Sequence, residues 1–305
     1  MINCIQNDLT ILVNSCDAYS DLWDAFFKLF SKYGGELTKC NIILNADSKK
    51  YNYDGLNIIC PNNYSTPQQW GARVKNCLKY VKTDYVFMLL DDFFLQRPCD
   101  IEVISNCICW LKANKNIGAF NLLSLKQSED ESNLFKGFCY INTNVDYRLN
   151  SQACVWDKNV LDQSILDIES PWDWEIFGNK RNAILLKDKD FYCISETVDE
   201  PYFYNSEFCN KKYSPDLVRN AVIRGKWDLS CIEDCFKEND IHIDYSARGL
   251  WTPNKKPTKI SLLLGKINKL IHLRTTLKNR KASKLEYARN YKKFVLDYIG
   301  NTNTN

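Results

Sequence analysis

Two adjacent carboxylates, Asp91 and Asp92, follow the apolar run Tyr85–Leu90 and precede Phe93-Phe94-Leu95. An apolar run without alternation reads as a strand buried on both faces, as in the middle of a parallel sheet. Ligands of open α/β sheets bind outside the carboxyl ends of the strands, where these two acids fall. Side by side they repel, and a hard cation carried by a phosphate would relieve that repulsion. The structural alternative is a turn Asp followed by a helix-capping Asp. A second chemically able segment is Ser170-Pro171-Trp172-Asp173-Trp174-Glu175. Ser170 and Pro171 mark a helix start, with Asp173 placed to cap it. Residues two apart on a helix do not share a face, so Asp173 and Glu175 are not expected to act together.

Alternating helices and strands would position these groups. Leu9–Val13, Asn41–Leu44 and Asn57–Cys60 read as strands. Leu22, Trp23, Phe26, Phe27 and Phe30 form the stripe of a helix that Gly34-Gly35 stops. Thr66-Pro67-Gln68-Gln69 predicts the start of a helix running to Val81, with Thr66 as N-cap. Asp100 caps a further helix, Ile117–Leu123 is a strand candidate, and residues 124–150 suggest loops and edge strands. Gln152–Trp156 looks extended, Ser214-Pro215 opens a helix reaching Gly225, and residues 246–258 read as a linker. The βαββαβ order predicts a doubly wound parallel sheet, Rossmann-like and flanked by helices.

Absences narrow the chemistry. The loop after the first strand has no glycine, which argues against dinucleotide, Walker A and nucleotidyltransferase phosphate loops. The two histidines, His242 and His272, read as surface or packing residues, and no HExxH or GxSxG occurs. The 14 cysteines include no CxxC pair, so they read as small buried hydrophobes in a reducing compartment. No signal peptide or membrane-length apolar run is seen, and a cytoplasmic protein is expected.

With both acidic segments in view, the chain resembles bacterial glycosyltransferases of the GT-A type from capsule, O-antigen and exopolysaccharide loci. The matching pieces are ILVNSCDAYSDLWDAFFKLF, WGARVKNCLKYVKTDYVFMLLDDFF, ESPWDWEIFGNKR and NAVIRGKW, over roughly residues 9–228. The resemblance implies a GT-A-like mixed sheet over residues 1–254 that binds a nucleotide-sugar donor, of UDP-sugar type, through Mn²⁺ or Mg²⁺. Asp91 and Asp92 match the family's DxD position, with Asp92 as direct metal ligand and Asp91 on ribose or metal-bound water. Here the acids are adjacent, where the family's pattern separates them. Asn14, Ser15 and Asp17 match the base- and ribose-binding loop, and Asp47 is a candidate for the same pocket. Arg73 is placed to reach a phosphate, or is a solvated helix Arg. The PWDWE segment matches the place where inverting members keep an acceptor-activating carboxylate; Asp173 and Glu175 compete for that role, with Glu175 read as the base and Asp173 as cap or acceptor contact. Trp172 and Trp174 offer flat faces to an acceptor sugar, or to the core. Arg181 would help neutralise the leaving diphosphate. The rival readings are a non-catalytic carbohydrate or lipid-carrier binding protein and a sugar-phosphate nucleotidyltransferase.

Charge is unevenly placed. The net charge is +3, yet Lys255–Lys293 hold thirteen Lys or Arg against one Glu, leaving about −9 for the rest. Within residues 255–305, Ile260, Leu263, Leu264, Ile267, Leu270, Ile271 and Leu277 share one helical face, with lysines and Arg274 opposite. A basic amphipathic tail points to a membrane surface rather than nucleic acid, or to packing on the domain. Peripheral attachment to the inner face of a cell membrane would suit a lipid-linked saccharide acceptor.

Overall fold

A computed structural model of the chain describes residues 5–66, 68–125, 132–143, 145–204, 221–223 and 225–252. All but Thr252 belong to one compact unit, Met1–Trp251. The basic tail and the boundary at residues 254/255 lie outside the described residues.

Eight strands form the sheet: β1 (Leu9–Asn14), β2 (Asn41–Asn45), β3 (Asn57–Ile59), β4 (Tyr85–Leu90), β5 (Ile117–Asn121), β6 (Phe138–Tyr140), β7 (Cys154–Asp157) and β8 (Asp190–Ile194). Their order is β3-β2-β1-β4-β7-β5-β8-β6. β7 runs antiparallel between β4 and β5, and β6 is an antiparallel edge. The remaining pairs are parallel. The doubly wound sheet flanked by helices is present, but it is mixed rather than wholly parallel, because β7 and β6 run against their neighbours.

Burial on both faces explains the unbroken apolar strands. All six residues of β1 are buried, as are five of the six in β4. One face is covered by α1 (Trp23–Tyr33), α3 (Ile101–Ala113) and α7 (Leu229–Glu238). The other packs against α2 (Trp70–Leu78), α4 (Lys158–Ser164) and Trp174. Asp100 caps α3 as expected, its side chain accepting from the Val103 amide at 3.1 Å.

Three expectations are corrected. The second helix begins at Trp70 with Gln69 as a cap that makes no side-chain bond, not at Thr66. Its first-turn amides are satisfied elsewhere: Gly71 N donates to Glu169 O at 2.9 Å and Ala72 N to Asp167 O at 3.1 Å. A loop distant in sequence thus replaces the local cap. Val222 and Ile223, expected in the helix from Ser214-Pro215, instead form β9 (Val222–Ile223), paired with β10 (Lys226–Trp227). The start of that segment lies outside the described residues. The expected linker is partly structured, since Leu250 bridges Trp227 and Trp251 N donates to Trp227 O at 2.7 Å.

Candidate active site

Asp91 and Asp92 leave the carboxyl end of β4 and both are buried. The Asp91 amide donates to Asn14 O at 3.2 Å, fixing the turn against the end of β1. The Trp23 indole N–H donates to Ser15 Oγ at 2.7 Å, and Ser15 Oγ donates to Asp91 Oδ2. An indole can only donate, so the Ser15 hydroxyl proton is directed at the carboxylate. Burial, and then the charge of Asp92, push the Asp91 carboxyl well above the usual range, against the pull of Ser15.

The remaining first-loop residues are tied to β2. Asp17 accepts from the amides of Asp47, Ser48 and Lys49 and from the Ser48 hydroxyl, while Asp47 Oδ2 accepts from Asp17 N at 2.9 Å. Burial would raise Asp17, but the Ser48 hydroxyl and these amides hold it below the usual carboxylate range. Asn14 Oδ1 accepts from Asn45 Nδ2 at 3.0 Å, and Asn45 Oδ1 accepts from Asn62 Nδ2 at 2.9 Å. Arg73 is buried beneath both loops. It donates to Ser15 O at 2.9 Å and Asn45 O at 3.3 Å, with Nε 3.4 Å from Asp47 Oδ1. These contacts make it a brace between the loops and correct the reading of it as a solvated helix Arg.

The second acidic segment folds as α5 (Pro171–Asp173), a π-helical turn (Trp174–Gly178) and α6 (Asn179–Leu185). Ser170 and Asp173 form a reciprocal capping box, so Asp173 serves the cap. Glu175 lies in the π turn, and its Oε1 accepts from the Ser151 amide at 2.7 Å and the Ser151 hydroxyl at 2.5 Å. Burial raises the Glu175 carboxyl above its ordinary value, and the two Ser151 bonds partly oppose that.

Two expectations in this segment fail. Trp174 is fully buried between Trp70 and Trp156, with its N–H on Ser164 O at 3.0 Å, so it is core and offers no face to a sugar. Arg181 is buried in an ion pair with Glu169 at 2.5 Å, which a leaving diphosphate does not reach. Trp172, by contrast, is 71% exposed.

Neighbouring strands bring the two acidic segments to one end of the sheet. β7 pairs antiparallel with β4, and the last pair is Met88 with Cys154. Asp91 lies three residues beyond Met88, and Ser151 lies three residues before Cys154. Tyr204 bridges the two chains: its ring stacks on Phe93 at 4.0 Å and its hydroxyl donates to Gln152 Oε1 at 2.6 Å. Ser151, Gln152 and Tyr204 escaped the sequence reading, since they lie in stretches without periodicity. The need of a half-buried Glu175 for a donor was the one signal available.

Among the described residues no group of three or more His, Cys, Asp or Glu could hold a metal ion by itself. Asp91 and Asp92 are hard oxygen donors whose mutual repulsion a cation would relieve, so they fit Mn²⁺ or Mg²⁺ if the remaining ligands come from phosphate and water. No helix among the described residues is long and apolar enough to cross a membrane.

No protein-family model and no curated protein matches the chain. Among solved structures it is similar to S. aureus TarS 1-349 in complex with UDP, with TM-score 0.44 and 10% identity, over 62% of this chain and 58% of that one. It is also similar to the mannosyltransferase PcManGT from Pyrobaculum calidifontis in complex with GDP-Man and Mn²⁺, with TM-score 0.35 and 11% identity, over 51% and 46%. The chain covers less than two thirds of either structure, and the likenesses concern the fold alone.

Proposed function

We propose that this protein is a nucleotide-sugar glycosyltransferase that transfers a sugar, from a UDP-sugar, to a saccharide or lipid-linked saccharide of surface polysaccharide synthesis, with inversion. The supporting observation is the meeting of two carboxylate sites at one end of the sheet, Asp91/Asp92 after β4 and Glu175 held by Ser151 before β7. The loops after β1 and β2, carrying Asn14, Ser15, Asp17 and Asp47, wall the donor side. Asp92 and Asp91 would hold Mn²⁺ or Mg²⁺, which supplies neutralising charge for the diphosphate when bound.

Glu175 is the base. An acceptor hydroxyl must lose its proton as its oxygen attacks the anomeric carbon, and a carboxylate within hydrogen-bond reach takes it. A carboxyl raised by burial is a stronger base than an ordinary glutamate once ionised. The Ser151 bonds fix one oxygen, Oε1. The domain division at residues 254/255 and membrane attachment through residues 255–293 belong to this reading too.

Calorimetric titration with UDP, GDP and CMP, each with and without Mn²⁺, tests the donor site. Metal-dependent binding of UDP that disappears in Asp92→Ala supports it. Absence of binding by all three nucleotides, with and without Mn²⁺, rules it out.

A further inference from the structure

Tyr147 is one of two non-glycine residues with positive φ among the described residues, at +61°. That region is costly for a side chain bearing Cβ and persists where the surroundings over-determine it. Here they do. Asn150 Nδ2 donates to Tyr147 O at 3.0 Å, and Gln152 N donates to Asn150 Oδ1 at 3.0 Å. Arg148, next in the chain, is buried over the Phe191 ring at 4.3 Å and donates to Lys189 O at 2.7 Å.

The loop is also gripped by the helix that carries Glu175. Asn179, four residues after Glu175, donates to Val145 O at 3.0 Å and accepts from Leu149 N at 3.3 Å. Glu175 itself accepts from Ser151. Tyr147 sits between these grips, yet the residue is left 51% exposed. An aromatic ring held outward on a strained, pinned backbone has no packing role to account for it. Trp172, three residues before Glu175, is the other exposed aromatic residue on this assembly.

We propose that Tyr147, four residues before Ser151, and Trp172, three residues before Glu175, form an aromatic subsite for a sugar ring of the acceptor beside the hydrogen-bonded Ser151–Glu175 pair. A pyranose presents C–H groups on its face and hydroxyls at its rim, which suits an aromatic face beside a carboxylate. The inference rests on the reading of Glu175 as the base toward the acceptor hydroxyl. It adds Tyr147 as a binding residue and makes the backbone strain its means of presentation.

Saturation-transfer NMR on the full chain with UDP and Mn²⁺ present tests this. The probes are the methyl glycosides of glucose, galactose, mannose and N-acetylglucosamine. At least one glycoside receives saturation from the wild-type protein. In Tyr147→Gly its affinity falls roughly threefold or more, and likewise in Trp172→Ala. Glycine adopts φ +61° freely, so Tyr147→Gly keeps or raises the melting temperature and leaves UDP affinity unchanged. A merely structural role would instead lower the melting temperature and leave glycoside affinity intact. Equal glycoside binding by wild type and Tyr147→Gly, or no binding of any glycoside by the wild type, overturns the subsite. Loss of UDP binding in the wild type with Tyr147-dependent glycoside binding retained would overturn the transferase and leave the subsite standing.

Discussion

Ser151 holds Glu175 twice, its backbone amide and its hydroxyl both donating to the same carboxylate oxygen, at 2.7 and 2.5 Å. Burial raises the Glu175 carboxyl and these bonds oppose it, so the pair sets the pH at which the base becomes available. The base works only when ionised. The acid limb of kcat/KM is therefore expected above the range of an ordinary glutamate, with activity rising through it. Ser151→Ala deletes one bond to the charged form, and its acid limb should move to higher pH while the plateau is largely kept. A limb that stays put, or moves to lower pH, in a pH–rate profile of the variant would contradict this.

Glu175→Gln separates chemistry from stability. It keeps an oxygen for Ser151 but cannot take a proton, so turnover is expected to fall by about 10²–10⁴. The folded value of Glu175 lies above its unfolded value, so the fold favours the protonated form. Its contribution to stability is present at pH below the ordinary glutamate range and lost as pH rises through the raised value. The neutral amide escapes that loss. The variant should melt at the same or higher temperature than wild type near neutral pH, with the difference shrinking in acid. Calorimetric melting curves across pH give the answer, and a variant clearly less stable near neutral pH would count against it.

The doubly wound sheet was legible because β4 is an unbroken apolar run, β1 is nearly one, and the helices between them keep a clear stripe, whereas the antiparallel insertion of β7 was not. The two acidic segments were legible because carboxylates beside apolar runs stand out. What was not legible depends on long-range contact. Trp172 and Trp174 look alike in sequence, yet one is exposed and the other lies between Trp70 and Trp156. The π turn rotates this segment in a way that a 3.6-residue period does not describe. Arg181 reads as a free cation until Glu169, twelve residues earlier, is found buried against it. Thr66 has a good capping sequence, but carbonyls from residues 167 and 169 satisfy the helix instead.

Arg73 joins the loops that wall the proposed donor site, through Ser15 O, Asn45 O and Asp47. Arg73→Met preserves much of the apolar stem and deletes the guanidinium. Two carbonyls then lose a charged donor, with a cost of about 2–4 kcal/mol. Because Ser15 also orients Asp91, nucleotide affinity should fall together with stability. Chemical denaturation and UDP titration of the same preparation measure both effects. Intact nucleotide affinity in a destabilised variant would show that the brace supports the fold without shaping the site.

Gly71 is the point where α2 meets the loop leading to Glu175. Its amide donates to Glu169 O at 2.9 Å. A Cβ at this position would fall 1.9 Å from Leu166 O and 2.9 Å from Leu166 C, so backbone itself would have to move. Alanine favours a helix interior over glycine by about 1 kcal/mol. The clash is expected to outweigh that gain, giving a net loss of about 1–3 kcal/mol. The displaced loop runs into Ser170 and Trp172, and through them to Glu175, whereas Asp91 and Asp92 lie on a different element. Gly71→Ala should therefore lower turnover more than UDP affinity. Steady-state kinetics beside calorimetric titration would show the split, and equal losses in both would mean that the disturbance spreads across the whole sheet end rather than along the loop.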